Sequence, residues 1–371
     1  MLLHARALIA RTARLAASLA CAALFAGCYY GHVAAGQLDV NARRVPIASL
    51  LEDPATDPAL RERLAYVAEV RRFATVELGL PDNGSYTSYA ALDRAYVAWN
   101  VFAAPEFDVA PKRWCFLVAG CVTYRGYFEE SRARTSAARL ARRGYDVHVA
   151  PVAAYSTLGH FADPVLSTML RYDDVALAAL LFHELAHQVA YAPGDSEFSE
   201  AFATVVEFEA TRRWLEARGD ADRLAAYLET RRRFFEVADL MVATRARLAA
   251  LYAGGQPAEE MRAGKARLIE DLRAAYGRLK AGWEGGADLD GLLAGPLNNA
   301  RLGAISTYHR CVPGLGAQLA GLGNDLGAFY ALARRLAQGP DADRRAACAG
   351  SGQRASRRHT GITAGSWSDV E

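Results

Sequence analysis

The chain of 371 residues has almost no surplus of either charge: 43 Lys and Arg stand against 41 Asp and Glu, a formal net charge of +2. Proteins that work through nucleic-acid phosphates carry a clear basic excess, so this balance excludes nucleic acid as a partner. Low hydrophobicity is missing too. With 52% hydrophobic residues the chain is not that of a disordered protein, and its length allows one large domain or two modest ones with a proper core. No internal repeat is present, which removes solenoid architectures. The N-terminal apolar run, 15–25, is too short to span a bilayer. Cysteine is scarce at six residues, and two of them, Cys21 and Cys28, fall in the N-terminal segment. What is abundant is Ala, which both faces of a helix tolerate and which therefore blurs helical periodicity.

Arg6, Arg11 and Arg14 precede the short apolar run, and that order is a secretory signal, not structure. It ends in Phe25-Ala26-Gly27-Cys28, which resembles the bacterial lipobox with Phe where Leu is commonest. The resemblance implies a signal peptide over 1–27, lipidation of Cys28 and a lipidated tether over 28–45. Tyr29 follows the cysteine where Asp would mark retention at the inner membrane. An outer-membrane lipoprotein facing the periplasm is therefore implied, attached to the membrane through Cys28. Losing 1–27 removes three arginines and no acidic residue, so lipid supplies an anchoring that charge does not. Export also leaves Cys115, Cys121, Cys311 and Cys348 in an oxidising compartment. Three pairings are possible. Cys115 with Cys121 is the most economical, since Ala119-Gly120 can turn the chain between residues that a straight strand would hold about 20 Å apart. Cys311 and Cys348 could pair or remain thiols.

The pattern predicts an α+β fold in one domain over 46–348, with an α/β part (46–160), a helical part (161–348) and a disordered tail (349–371). A helix over 54–78 opens at Asp57-Pro58 and carries Leu60, Leu64, Val67 and Val70. Strands are expected at 85–91, 96–103, 114–124 and 145–151, with a short edge strand at 153–158. A helix over 129–143 stops at Gly144. Beyond Asp163-Pro164 helices are expected at 164–191, 199–218, 221–253 and 257–281, with one or two more in 298–337.

The chemistry concentrates in His183-Glu184-Leu185-Ala186-His187. On a helix, histidines four apart project from one face and can share one tetrahedral zinc ion. Glu184 lies beside the first ligand, where its carboxylate can act as general base toward metal-activated water. The surrounding helix is apolar nearly all round, and two histidines and a glutamate are costly there unless they bind something. A third ligand is needed. The continuation Gln188-Val189-Ala190-Tyr191 excludes the metzincin pattern, which has a Gly and a third His. Downstream, Glu197-Phe198-Ser199-Glu200-Ala201 opens the next helix with Ser199 as N-cap. Glu200 faces back toward the first helix; Glu197 and Asp195 compete with it. The segment resembles the Asn-Glu motif of gluzincin peptidases, with Ser199 in place of Asn, which implies that Glu200 completes the site.

Together with the lipobox, several segments carry a wider resemblance: 114–121 (Trp-Cys-Phe-x-Val-Ala-Gly-Cys), 124–128 (Tyr-Arg-Gly-Tyr-Phe), 155–159 (Tyr-Ser-Thr-Leu-Gly), the His-Glu-x-x-His run with Gln188, Ser199 to Ala203, and Asn298-Asn299-Ala300. They resemble the bacterial predicted-aminopeptidase lipoprotein family, over nearly all of the mature chain. The resemblance implies a zincin-like catalytic core with a small mixed sheet and a long helical C-terminal half. It also implies one zinc ion and hydrolysis of peptides by an aminopeptidase.

Other roles are assigned on this basis. Tyr308 is the first candidate for stabilising an oxyanion, with Tyr155, Tyr191 and His160 competing. Tyr155, Arg125, Asn298 and Asn299 are candidate substrate-binding residues, Arg125 for a substrate carboxylate. Residues 154–159 stand where zinc peptidases lay substrate along an edge strand. Glu207 and Glu209 could grip a substrate ammonium, or Glu207 could orient a ligating histidine. The run Arg231-Arg232-Arg233 is expected on a solvated helix face. Two further readings remain: an endopeptidase that processes envelope proteins, and a non-catalytic lipoprotein with a structural zinc. Glu184 argues against the last, since a structural site has no use for a base.

Overall fold

The computed structural model describes residues 29–116, 120–285 and 289–349. The signal segment 1–27, Cys28 and the tail beyond residue 349 lie outside the described residues, as does the side chain of Tyr308.

Where a tether is expected, residues 29–42 form a helix, α1. It is docked along the body of the protein. Val40 is fully buried, the Tyr29 hydroxyl donates to Gly126 O at 3.1 Å, and His32 Nε2 accepts the Phe128 N–H at 3.1 Å. Only glycine fits at position 36, because a Cβ there would lie 2.2 Å from the Phe128 ring. β1 (Arg44–Pro46), α2 (Ile47–Glu52) and α3 (Pro58–Val76) follow. Asp57 caps α3 by accepting the Leu60 N–H at 3.0 Å, and Pro58 occupies a first-turn position whose N–H would have no partner.

β2 (Ser88–Ala90) pairs with β1, and β3 (Ala98–Pro105) begins the second sheet. The single strand expected at 114–124 is three: β4 (Trp114–Phe116), β5 (Gly120–Val122) and β6 (Tyr124–Tyr127). Cys115 and Cys121 stand opposite each other in the antiparallel β4–β5 register and are disulfide-bonded. After α4 (Glu130–Ala141) comes β7 (Tyr145–Val152), completing an antiparallel sheet of order β6-β3-β7. α4 covers the face that carries the alternate residues Trp99, Val101 and Ala103. The short edge strand expected at 153–158 does not form, and β7 is itself the edge. Side chains satisfy the backbone locally in that stretch: the Leu158 N–H donates to Ser156 Oγ at 3.0 Å and the Phe161 N–H to Thr157 Oγ1 at 3.1 Å.

β8 (Val165–Leu166) adds to β2 in parallel, and the helical half begins later than expected. α5 (Asp174–His187) starts at Asp173, which accepts the Ala176 N–H at 2.8 Å. α6 (Ser196–Ala217) is capped by Asp195 instead of Ser199. α7 (Ala221–Ala253), α8 (Ala258–Ala281), α9 (Asp290–Leu293), α10 (Asn299–His309), α11 (Val312–Gly321), α12 (Leu326–Gln338) and α13 (Asp341–Ala349) complete the described chain. A disulfide joins Cys311 to Cys348 across 37 residues; closing a loop of that length in the unfolded chain is worth about 4 kcal/mol. The main core packs α5 and α6 between α3 and α12, with Phe182, Phe198, Phe202 and Phe329 fully buried. A second cluster joins α7, α8 and α10. No described helix is long and apolar enough to cross a membrane.

Candidate metal centre and the cavity around it

Leu177, Leu181, Phe182 and Leu185 are fully buried, which fixes the rotation of α5 and turns His183, Glu184 and His187 of its last turns toward α6. Glu200, in the second turn of α6, meets both histidines. Glu207, two turns further on, reaches back to His183, so the two helices run antiparallel. His183, His187 and Glu200 form the one group among the described residues that could hold a metal ion. The competitors are engaged elsewhere: Glu197 pairs with Arg310 at 3.0 Å, and Asp195 caps α6 and pairs with Arg344 at 2.8 Å.

The distances fit a cation. His183 Nε2 and His187 Nε2 are 3.2 Å apart, and they lie 3.4 and 3.5 Å from Glu200 Oε2. Ligands about 2.0–2.1 Å from a tetrahedral zinc stand about 3.3–3.4 Å from one another. The tautomers agree with this. His183 Nδ1 lies 3.0 Å from Glu207 Oε2, and an ionised carboxylate only accepts, so the ring proton of neutral His183 sits on Nδ1 and its Nε2 lone pair faces the centre. Glu207 is held in turn by Arg231, whose Nη1 is 3.3 Å from Oε1.

Burial opposes a charged His183, but hydrogen bonds to Glu200 and Glu207 outweigh it and push the imidazole up to about 10. Glu200 is brought down to about 2: burial alone would raise it, and the charge of His187 and hydrogen bonds to both histidines override that. The cluster thus favours a positive charge between Glu200 and Glu207, which a proton on His183 supplies here and a metal ion could supply instead. Burial raises Glu184, with His183 and His187 opposing, which would suit a carboxylate in a proton-accepting role.

These residues line one end of a cavity of about 1220 Å³, walled by α5, α7, α10 and the β7 edge. The family model described as "putative aminopeptidase" matches residues 28–348. The chain belongs to that family. No curated protein and no solved structure matches the chain.

Of the other residues singled out in this family member, the structure relocates most. Tyr155 lines the cavity, but its hydroxyl donates to Gln37 of α1 at 2.7 Å. Arg125 faces away from the cavity, its guanidinium 3.8 Å above the Tyr29 ring, because alternation along β6 sends it to the side opposite Tyr124. Asn298 caps α10 and donates to Val147 O at 2.9 Å. Asn299 is fully buried and donates to Pro105 O and Glu106 O, both at 3.0 Å. These two asparagines bracket α10 to the sheet and do not reach the cavity. Glu209 is held by Arg212 and Arg213, away from the lining, and His160 is exposed outside it. Glu207 orients His183 and is not free to grip an ammonium.

Two cavity groups escaped the sequence reading. Tyr124 opens the 124–128 segment, and β6 alternation places it opposite Arg125; burial raises its pKa, and Glu200, Tyr191 and Glu184 raise it further. Arg231 is not on a solvated face. It is buried against Glu207 with the Phe234 and Phe235 rings 5.5 and 5.1 Å from its guanidinium. Arg233 is buried too, and only Arg232 of the three keeps an open surface position. Successive helical residues point about 100° apart, so three arginines in a row cannot share one face.

Proposed function

We propose that the protein is a zinc-dependent peptidase, and by its family an aminopeptidase, with a gluzincin-like site. The observation that carries this is the convergence of His183, His187 and Glu200 at tetrahedral spacing with Glu184 beside them. Zinc, when bound, supplies Lewis acidity toward water and the scissile carbonyl. The chain's own groups do the rest. Glu184, raised by burial, takes the proton from the attacking water and delivers it to the departing amine. Glu207 holds His183 in its Nδ1–H tautomer. Tyr124 and Tyr191 line the same end of the cavity, where a phenolic O–H serves a developing oxyanion; Tyr308 lies on α10, another wall.

An endopeptidase mode has one specific observation in its favour. Every carboxylate among the described lining residues has an assignment: Glu200 to the metal, Glu184 as base, Glu207 to His183, Asp174 to Arg63 and Arg223, and Asp173 as the α5 cap. None is left to hold a substrate ammonium. Peptides of one sequence with free and acetylated N-termini decide between the modes, since an aminopeptidase cuts only the free form. Glu184→Gln should abolish hydrolysis while zinc content stays the same; retained activity would sink the mechanism.

We further propose that the mature chain starts at a lipidated Cys28 in the outer membrane, facing the periplasm. The signal pattern and the two disulfides support an oxidising compartment. Mass spectrometry of the N-terminal peptide tests it, an unmodified Cys28 being the contrary result.

A further inference from the structure

α5 and α7 run side by side in the same direction and are pinned at two levels. At one level Arg223 reaches Asp174 at 3.7 Å; at the other Arg231 reaches Glu207, which holds His183. The pins are nine residues apart on α5 and eight on α7, which at about 1.5 Å per residue makes a passage about 13 Å long. Its walls between the pins are Val175, Ala176, Ala179 and Leu180 on α5 and Ala226, Tyr227 and Thr230 on α7. None is charged. The charged residues that line the cavity all sit at its ends, around the metal cluster or around Asp173, Asp174 and Arg223 at the mouth. An extended chain rises about 3.3 Å per residue, so about four residues fill the passage.

Resting on the peptidase reading, we propose that this passage is an oligopeptide subsite: about four substrate residues on one side of the scissile bond lie extended between α5 and α7. Their side chains are apolar or small and uncharged. The alanines leave room for side chains, and the apolar walls reward their burial at about 25 cal/mol per Å². A charged side chain between the pins would lose its water and meet no counter-ion. A dipeptide with its peptide bond at the metal cluster places one residue in the passage and leaves most of it empty. The substrate class is therefore an apolar oligopeptide, such as a short product of envelope protein turnover, and not a dipeptide.

The test uses the zinc-loaded Glu184→Gln protein, in which binding is read by calorimetry without turnover. A leucine-rich hexapeptide should bind at least about tenfold more tightly than Leu-Leu, and Asp or Lys at its central positions should remove at least about tenfold. Adding Ala226→Phe, at a position open to the cavity, should erase the length gain and leave Leu-Leu binding unchanged. Binding that ignores length and charge, or that Ala226→Phe does not alter, overturns the subsite. The wild-type protein separates this from the underlying reading. Hydrolysis of hexapeptide and dipeptide with equal kcat/KM and equal affinity defeats the subsite alone. Length-dependent binding with no hydrolysis of any peptide upholds the subsite and defeats the peptidase reading.

Discussion

Replacing Glu207 separates two effects that one carboxylate combines. Its oxygens lie 3.0 Å from His183 Nδ1 and 3.3 Å from Arg231 Nη1, and the three side chains are only 13%, 15% and 16% exposed. Glu207→Ala frees the His183 ring and its tautomer, which should weaken zinc binding by about 10–100-fold. It also strands Arg231, whose Nε and Nη2 are already buried without hydrogen-bond partners and so offer no alternative. A buried cation left unpaired in this way costs about 3–5 kcal/mol. Glu207→Gln keeps an acceptor for the His183 N–H but not the charge, so it should hold zinc within a few-fold of wild type and still lose stability. The pair Glu207→Ala with Arg231→Met removes the stranded charge, so most of the stability should return while zinc affinity stays low. Chelator competition reads the affinity, and thermal unfolding in a metal-free buffer reads the stability. Wild-type zinc affinity in Glu207→Ala would refute the orienting role. A double variant as unstable as the single one would refute the stranded-charge argument.

Asn299→Ala should cost about 3 kcal/mol, because it strands Pro105 O, Glu106 O and the Tyr252 hydroxyl, which donates to Asn299 Oδ1 at 3.1 Å. KM for a given peptide should not move; a raised KM with unaltered melting would return Asn299 to the substrate. His148 gives a pH signature: burial, and then the charge of Arg301, lower it from 6.5 to about 4. Between those values the unfolded chain binds a proton that the folded one does not, so stability is lost as pH falls from 6.5 toward 4, by a few kcal/mol at most. His148→Phe should flatten that slope in urea titrations at pH 7 and pH 4.5, and an unchanged slope would mean that another group is responsible.

The readable part of this site is local, and the unreadable part is the partner from elsewhere in the chain. His183, Glu184 and His187 follow from helical spacing within five residues, and Glu200 from the start of the next helix. Tyr155, Arg125, Asn298 and Asn299 stood out equally well in the sequence. A residue that brackets α10 to a sheet and one that touches substrate both demand a fixed identity, so identity alone does not separate them. Strand alternation does, once β6 is known to begin at Tyr124 and not to continue β4: Tyr124 then turns to the cavity and Arg125 to α1. The helix over 29–42 was hidden because its contacts, Gly36 under Phe128 and Gln37 to Tyr155, leave no apolar stripe of the usual kind. Arg231 is the sharpest case. In its own helix it looks like one more solvated charge, yet burying Glu207 behind His183 is tolerable only with a cation beside it. That cation comes from α7, 24 residues beyond Glu207. The electrostatics of the candidate metal centre therefore require α7 to dock in the register that brings Arg231 to Glu207, and the same register sets Ala226, Tyr227 and Thr230 along the cavity that Ala176, Ala179 and Leu180 also line. One buried ion pair thus fixes both the orientation of a candidate metal ligand and the spacing of the proposed subsite.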